Sequence, residues 1–215
     1  MKQNAISAEA KLQRRADFLS TARRLFLQQQ RLPTVADIAA DAGLAKGTVY
    51  RYFQSKEQIF LALLAQDFAE LFTALDQLIT QLPRPLPQAA APFAEGYLKL
   101  LQQSPTLLPL LALLSAVLEQ NLPQPQLLAF KQQLAQALDA LGAKLAARFP
   151  TLSPVRASQL LLHSYALTLG LYQSTQLPAA VKTLVQQAGL AQLQWDFSAE
   201  LTAALRRLWL GAAQE

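Results

Sequence analysis

Nineteen residues, AGLAKGTVYRYFQSKEQIF at 42–60, gather polar and aromatic chemistry that the rest of the chain lacks. Lys46 is a long donor able to reach the O6 and N7 acceptors on a guanine edge. Gly47 carries no Cβ and lets another molecule approach the backbone. Thr48, Tyr50 and Tyr52 bring hydroxyls suited to phosphate oxygens, and Arg51 and Lys56 add positive charge. Taken singly, each has a plain structural reading: a cap, a half-buried ring or a solvated charge. Grouped in one short stretch, they describe a surface made for a nucleic-acid duplex.

Short helices are needed to hold such a surface. Helix one is expected from about Ser7 to Gln30, with Leu12, Ala16, Leu19, Ala22 and Phe26 as one amphipathic stripe. Arg31-Leu32-Pro33 ends it. Thr34 then reads as an N-cap, with Asp37 three residues later in a variant capping box. Helix two follows at about 35–42, facing Val35, Ile38, Ala39 and Ala42 inward, and Gly43 suits the left-handed position just past its end. Helix three is expected at about 46–52, with Val49 and Phe53 closing a small core. Ser55 and Gln58 make a second capping box. Two helices joined by a glycine turn form a helix-turn-helix, whose second helix enters the major groove with its N-terminal residues toward the bases.

Charge supports this reading. The net charge is +5, and residues 1–60 hold 10 Lys and Arg against 5 Asp and Glu, so the whole excess lies there. A basic module on a neutral body suggests a polyanionic partner at one end. There are no cysteines and one histidine, which leaves little for a metal centre or a thiolate nucleophile. No phosphate-cradling glycine motif and no recognisable Ser, His and Asp grouping occurs. The expectation is therefore a non-enzyme without cofactor or metal. The N-terminus lacks a signal-peptide core. The most apolar run, 107–118, is too short for a bilayer, which needs about 20 residues. A cytoplasmic protein with no membrane partner is expected.

The remainder reads as helix throughout. Helix four runs from Ser55 to about Thr80, roughly 39 Å by the helical rise. Further helices are expected at about 88–103, 106–120, 125–149, 154–175, 178–187 and 197–211. The fold class is all-α, with about nine to ten helices. Helix 154–175 is apolar nearly all round, with Leu160, Leu161, Leu162, Leu167, Leu169 and Leu171, so it should be buried on several sides. Ala166 and Gly170 allow close helix approach. Leu201, Ala204, Leu208 and Trp209 mark a second seam on the last helix. Together these predict a homodimer. A weakly specified apolar pocket could be lined by Phe68, Phe72, Tyr97, Leu101, Phe130, Leu134 and Leu167. Glu119 is a candidate for a cationic group. His163 reads as a hydrogen-bonded core residue or a pocket contact.

Residues 15–64 resemble the DNA-binding domain of the TetR/AcrR family of bacterial transcriptional repressors, above all in TVADIAADAGLAKGTVYRYFQSKEQIFLAL. The resemblance implies base contacts from Lys46 and Gly47, and phosphate contacts from Thr34, Thr48, Tyr50, Tyr52 and Lys56. It implies a DNA-binding domain at 1–56 and a helical effector-binding and dimerisation domain at 57–215. The function implied is a dimeric, ligand-responsive repressor on a palindromic operator, released by a small apolar or aromatic effector. Two other readings stay open: a nucleoid-organising DNA binder of this fold without an effector, and a helical lipid or ligand carrier. Two departures stand out. Ala45 sits where a Ser usually caps the recognition helix, and Gln30-Arg31 replace a usual glycine.

Overall fold

The structure, a computed structural model, describes residues 8–214. Ser7, the expected start of helix one, lies outside them. Among the described residues there are ten α-helices and no strand. They are α1 (Ala8–Gln29), α2 (Val35–Asp41), α3 (Lys46–Tyr50), α4 (Lys56–Gln81), α5 (Leu86–Gln103), α6 (Leu107–Leu113), α7 (Gln124–Arg148), α8 (Pro154–Thr175), α9 (Ala179–Gln187) and α10 (Phe197–Ala212).

Two compact units form. The first joins the residues up to Phe68 with Pro105–Leu127, and the second joins Ala69–Ser104 with the residues from Leu128 onward. The first unit buries Phe18, Leu19, Ala22, Leu25 and Phe26 of α1 and Val35, Ile38 and Ala39 of α2. Val49 and Phe53 are buried as expected. Phe26 and Phe60 pack with ring centres 5.7 Å apart. The stripe on α1 begins later than its spacing suggests: Leu12 is 70% exposed and Ala16 is also exposed. A 22-residue helix is far longer than its neighbours of 7 and 5 residues, and its first turns stay exposed.

The expected helix at 106–120 is not one helix. α6 ends at Leu113 and continues as a π-helical turn, Leu114–Leu118, and a 3-10 turn, Glu119–Asn121. By length and composition α4 is apolar enough to cross a membrane, with half of that stretch buried inside the protein. A core helix passes the same test.

In the second unit, α10 lies against α5 and α8. Leu201, Leu205 and Trp209, one turn apart, point inward and are fully buried. The Trp209 ring stacks on Phe93 at 3.7 Å, and its Nε1 donates to Ser164 Oγ at 3.1 Å. Gly142 of α7 meets α8 so closely that a Cβ there would lie 1.9 Å from Ser158 Oγ. Only Leu160 and Leu161 of the α8 leucines are fully buried, whereas Leu162 is 47% exposed. The expected burial on all sides is therefore incomplete in the single chain. α9 leaves Val181 and Leu184 exposed. Trp195, just before α10, is 47% exposed, and its Nε1 donates to the Gln192 carbonyl.

Candidate nucleic-acid interface

The first unit builds its outward face from caps and turns. Thr34 Oγ1 accepts the Asp37 N–H at 3.1 Å, and Asp37 Oδ2 accepts the Thr34 N–H at 2.8 Å, completing the capping box. Those Thr34 bonds, with Arg31 nearby, hold the Asp37 carboxyl below its ordinary pKa. Gly43 takes φ +65°, the left-handed turn that glycine adopts without Cβ strain. Leu44 N–H then bonds back to the Ala39 carbonyl. Arg24 is ion-paired with Asp41, fixing α1 to the end of α2.

α3 is short, five residues, and Ala45 in the cap position offers it no side-chain hydrogen bond. Its backbone at Ala45 is extended, φ −69° and ψ 142°. Lys46, Gly47, Tyr50 and Arg51 all face solvent, while Thr48 and Tyr52 are half-buried. A Cβ added at Gly47 would meet nothing within 4 Å. Glycine is thus not required there by the protein's own packing, and the open space faces outward. Lys46 Nζ lies 5.6 Å from the Tyr50 ring centre, a cation–π contact that steadies a long side chain. Tyr52 meets Phe18 edge-on at 5.5 Å.

Beyond α3, Ser55 Oγ accepts the Gln58 N–H, and Gln58 Oε1 accepts from Gln54 rather than from Ser55. The second capping box is thus shifted by one residue. Lys56 opens α4, 4.0 Å from the Glu57 carboxylate and 40% exposed. Arg15 stacks over the Phe53 ring at 4.9 Å, which sets a further cation beside the segment following α3. The basic run Lys11, Arg14 and Arg15 is exposed along α1. Reasoning from the turn motif alone overlooked it, although the clustering of charge was visible.

A buried polar knot lies within the same unit. Asp67 of α4 is fully buried. Its Oδ2 accepts from Thr106 Oγ1 at 2.6 Å, and Arg23 Nη1 of α1 donates to Thr106 Oγ1 at 2.5 Å. Asp67 Oδ1 lies 2.6 Å from Arg23 Nη1 but off the hydrogen-bonding direction, so that contact is charge attraction.

The residues expected in an apolar pocket are dispersed in burial. Phe68, Tyr97, Leu101 and Phe130 are buried, and Phe72, Glu119, Leu134 and Leu167 half-buried. Burial pushes the Tyr97 hydroxyl up to about 12, against the opposing effect of its hydrogen bond with Thr168. His163 is not a core residue. It is exposed in a cleft of about 280 Å³ between α8 and α10, with Arg156, Gln159 and Arg207 among its neighbours. Leu152, Leu160, Leu208 and Ala212 line the same cleft, so its wall is mixed. Of the residues expected at a dimer face, Ala166 and Gly170 are exposed and Ala204 and Leu208 half-buried. Leu201 and Trp209 are corrected: both are wholly enclosed by their own chain, so neither can be surface that meets a partner.

Residues 64–215 match the profile described as tetracyclin repressor-like, C-terminal domain, and residues 18–63 match that of bacterial regulatory proteins, tetR family. The chain belongs to the TetR family. It is a TetR-family transcriptional regulator with a DNA-binding helix-turn-helix and a helical C-terminal domain. Its fold is shared with a putative TetR-family regulator from Mesorhizobium loti, at TM-score 0.59 and 17% identity over 94% of this chain and 96% of that one. The fatty acid degradation regulator FadR from Bacillus halodurans gives 0.55 and 17%, over 92% and 94%. FadR from Bacillus subtilis, solved in complex with stearoyl-CoA, gives 0.53 and 16%, over 92% and 98%. No curated protein is significantly similar. Both departures from the TetR pattern have structural counterparts: Ala45 leaves α3 uncapped, and Gln30 adopts a left-handed φ of +52° where the family usually has glycine.

Proposed function

We propose that this TetR-family regulator is a cytoplasmic repressor. It binds a two-fold operator as a homodimer and leaves it when a small apolar or aromatic molecule enters the C-terminal body. Residues 1–56 carry the DNA contacts and 57–215 the effector and dimer functions. Lys46 and Gly47 face bases, and Thr34, Thr48, Tyr50, Arg51, Tyr52 and Lys56 face phosphates. The observation that carries the reading is the outward face of α3, where Lys46, Tyr50 and Arg51 project into solvent and Gly47 leaves room for a duplex.

Two recognition helices must sit about 34–36 Å apart to read successive turns of one DNA face. A dimer sets that spacing. The exposed flank of α8, with Leu162, Ala166 and Gly170, and the half-buried Ala204 and Leu208 of α10 favour this surface for the second copy. α4 begins with Lys56 and is one unbroken helix of 26 residues, so it is the lever by which the effector acts.

The test is a ligand titration with and without operator DNA. Apolar and aromatic compounds enter the screen, and so do long-chain acyl-CoAs, because the Bacillus subtilis FadR was solved with stearoyl-CoA. Coupling is reciprocal, so operator must weaken effector binding by the factor by which effector weakens operator, about 5–150-fold. Equal effector affinity in both titrations refutes the switch. For the dimer, Gly170→Leu serves well: a Cβ at Gly170 meets nothing within 4 Å, so the protomer tolerates the side chain while a close partner would not. Sedimentation of the native protein as a monomer at micromolar concentration would refute the dimer.

A further inference from the structure

We infer that the outer face of α10 is self-complementary, and that a second copy of this chain docks on it antiparallel, with Glu200 of each copy against Arg207 of the other. This rests on the dimer proposed above and fixes its register. Glu200, Ala203, Ala204 and Arg207 are spaced by three, one and three, which places them on one face of a helix. Glu200 and Arg207 are exposed, and the two alanines between them are half-buried. The opposite face, Leu201, Leu205 and Trp209, is enclosed within the protomer. The two charges lie about 10 Å apart along the axis, by the helical rise, and cannot pair within one helix. Neither forms an ion pair among the described residues.

A two-fold axis makes residue i of one copy meet residue j of the other, and j meet i. An axis passing between Ala203 and Ala204 carries position 200 onto position 207. Acid then meets base twice, and no like charges are opposed. Parallel pairing would instead set Glu200 on Glu200 and Arg207 on Arg207, an arrangement that charge disfavours. The alanines at the crossing leave little bulk, so the axes can approach at the short end of the usual 8–10 Å or so. Arg207 also borders the cleft between α8 and α10, so a partner seated on this face reaches both helices. A stable dimer needs about 800 Å² from each partner, more than one α10 face provides. The exposed flank of α8, with Val155 at 67% and Leu162 at 47% exposure, supplies the apolar remainder.

The experiment is a charge swap measured by sedimentation equilibrium of the full chain. Arg207→Glu and Glu200→Arg should each raise the dimer dissociation constant roughly 10–100-fold, since each reversal creates two like-charge contacts. The double variant should return to within about threefold of the native value. Far-UV circular dichroism and thermal melting of each variant check that the protomer is intact, as expected for two exposed positions. Native-like dimerisation of both single variants overturns the register while leaving the dimer standing. Weakened singles without rescue in the double variant overturn the pairing. A monomeric native chain overturns the dimer itself.

Discussion

Replacing Asp67 by alanine should loosen the DNA-binding unit less than replacing its partner Arg23 does. Asp67 is fully buried, whereas the Arg23 side chain is 29% exposed. Asp67→Ala removes a charged hydrogen bond from Thr106, a loss of about 1.5–3 kcal/mol. It also strips Arg23 of its carboxylate. Breaking a buried pair typically costs about 3–5 kcal/mol because the orphaned charge stays buried, but Arg23 can turn to water, so about 2–3 kcal/mol is expected. Arg23→Ala is the harsher change. It leaves a carboxylate enclosed with Thr106 as its remaining hydrogen-bond donor, and the full range of about 3–5 kcal/mol applies. Because both variants break one interaction, the double variant should cost less than their sum, with a coupling of about 1–3 kcal/mol. With two units in the chain, one global transition is not the right readout. Native-state hydrogen exchange of amides in α1 and α6 reports the opening free energy locally. Additive effects within about 0.5 kcal/mol, or an Asp67→Ala cost above that of Arg23→Ala, would refute this account of the knot.

Ala45→Ser should stabilise the unit by about 1 kcal/mol, because the backbone is already extended at that residue and α3 lacks a side-chain cap; native-state hydrogen exchange of amides in α1 to α3 checks it. Gln30→Gly should gain about 1 kcal/mol by relieving a left-handed φ of +52° on a residue with a Cβ, read the same way. Lys46→Ala should lower specific operator affinity by about 1–3 kcal/mol and spare random DNA, whereas Lys56→Ala should weaken both and reduce the salt slope by about one; fluorescence anisotropy on the two DNAs separates them, and equal effects would reassign Lys46. Tyr97 holds its proton more tightly folded, at about 12, than unfolded, near 10, so its contribution is intact below pH 10 and lost between pH 10 and 12. A shift of that size corresponds to roughly 2–3 kcal/mol, and Tyr97→Phe should lose less stability than the native chain over that window.

The helix-turn-helix was readable because its signals are local. Thr34 and Asp37 are three residues apart, Gly43 follows α2 directly, and the core residues Val49 and Phe53 lie within one turn. The polar knot was not readable. Arg23 and Thr106 are 83 positions apart and Asp67 and Thr106 are 39, and nothing in a single helix reports such a partner. α10 failed for another reason. Apolar residues occupy more than one of its faces, so periodicity found a seam without saying which side meets the protomer. Leu201 and Trp209 were assigned outward when they belong inward, against Phe93 and Ser164. Leu12 was misplaced because an amphipathic stripe records the period of a helix and not the length of what covers it. The apolar character of α8 suggested a core position for His163, but a helix apolar over most of its surface does not tell which side stays open to solvent, and His163 is exposed.

The two tryptophans give the chain a pair of optical probes in unlike surroundings. Trp209 has no solvent exposure and stacks on Phe93, while Trp195 is about half exposed beside the start of α10. An indole shut away from water emits to the blue of one in contact with it, and a collisional quencher such as acrylamide reaches only the second. Trp195→Phe therefore leaves a lamp in the core, and Trp209→Phe leaves one at the surface. With these variants, light alone can follow the seating of α10 and events at its exposed approach separately, without attaching a dye.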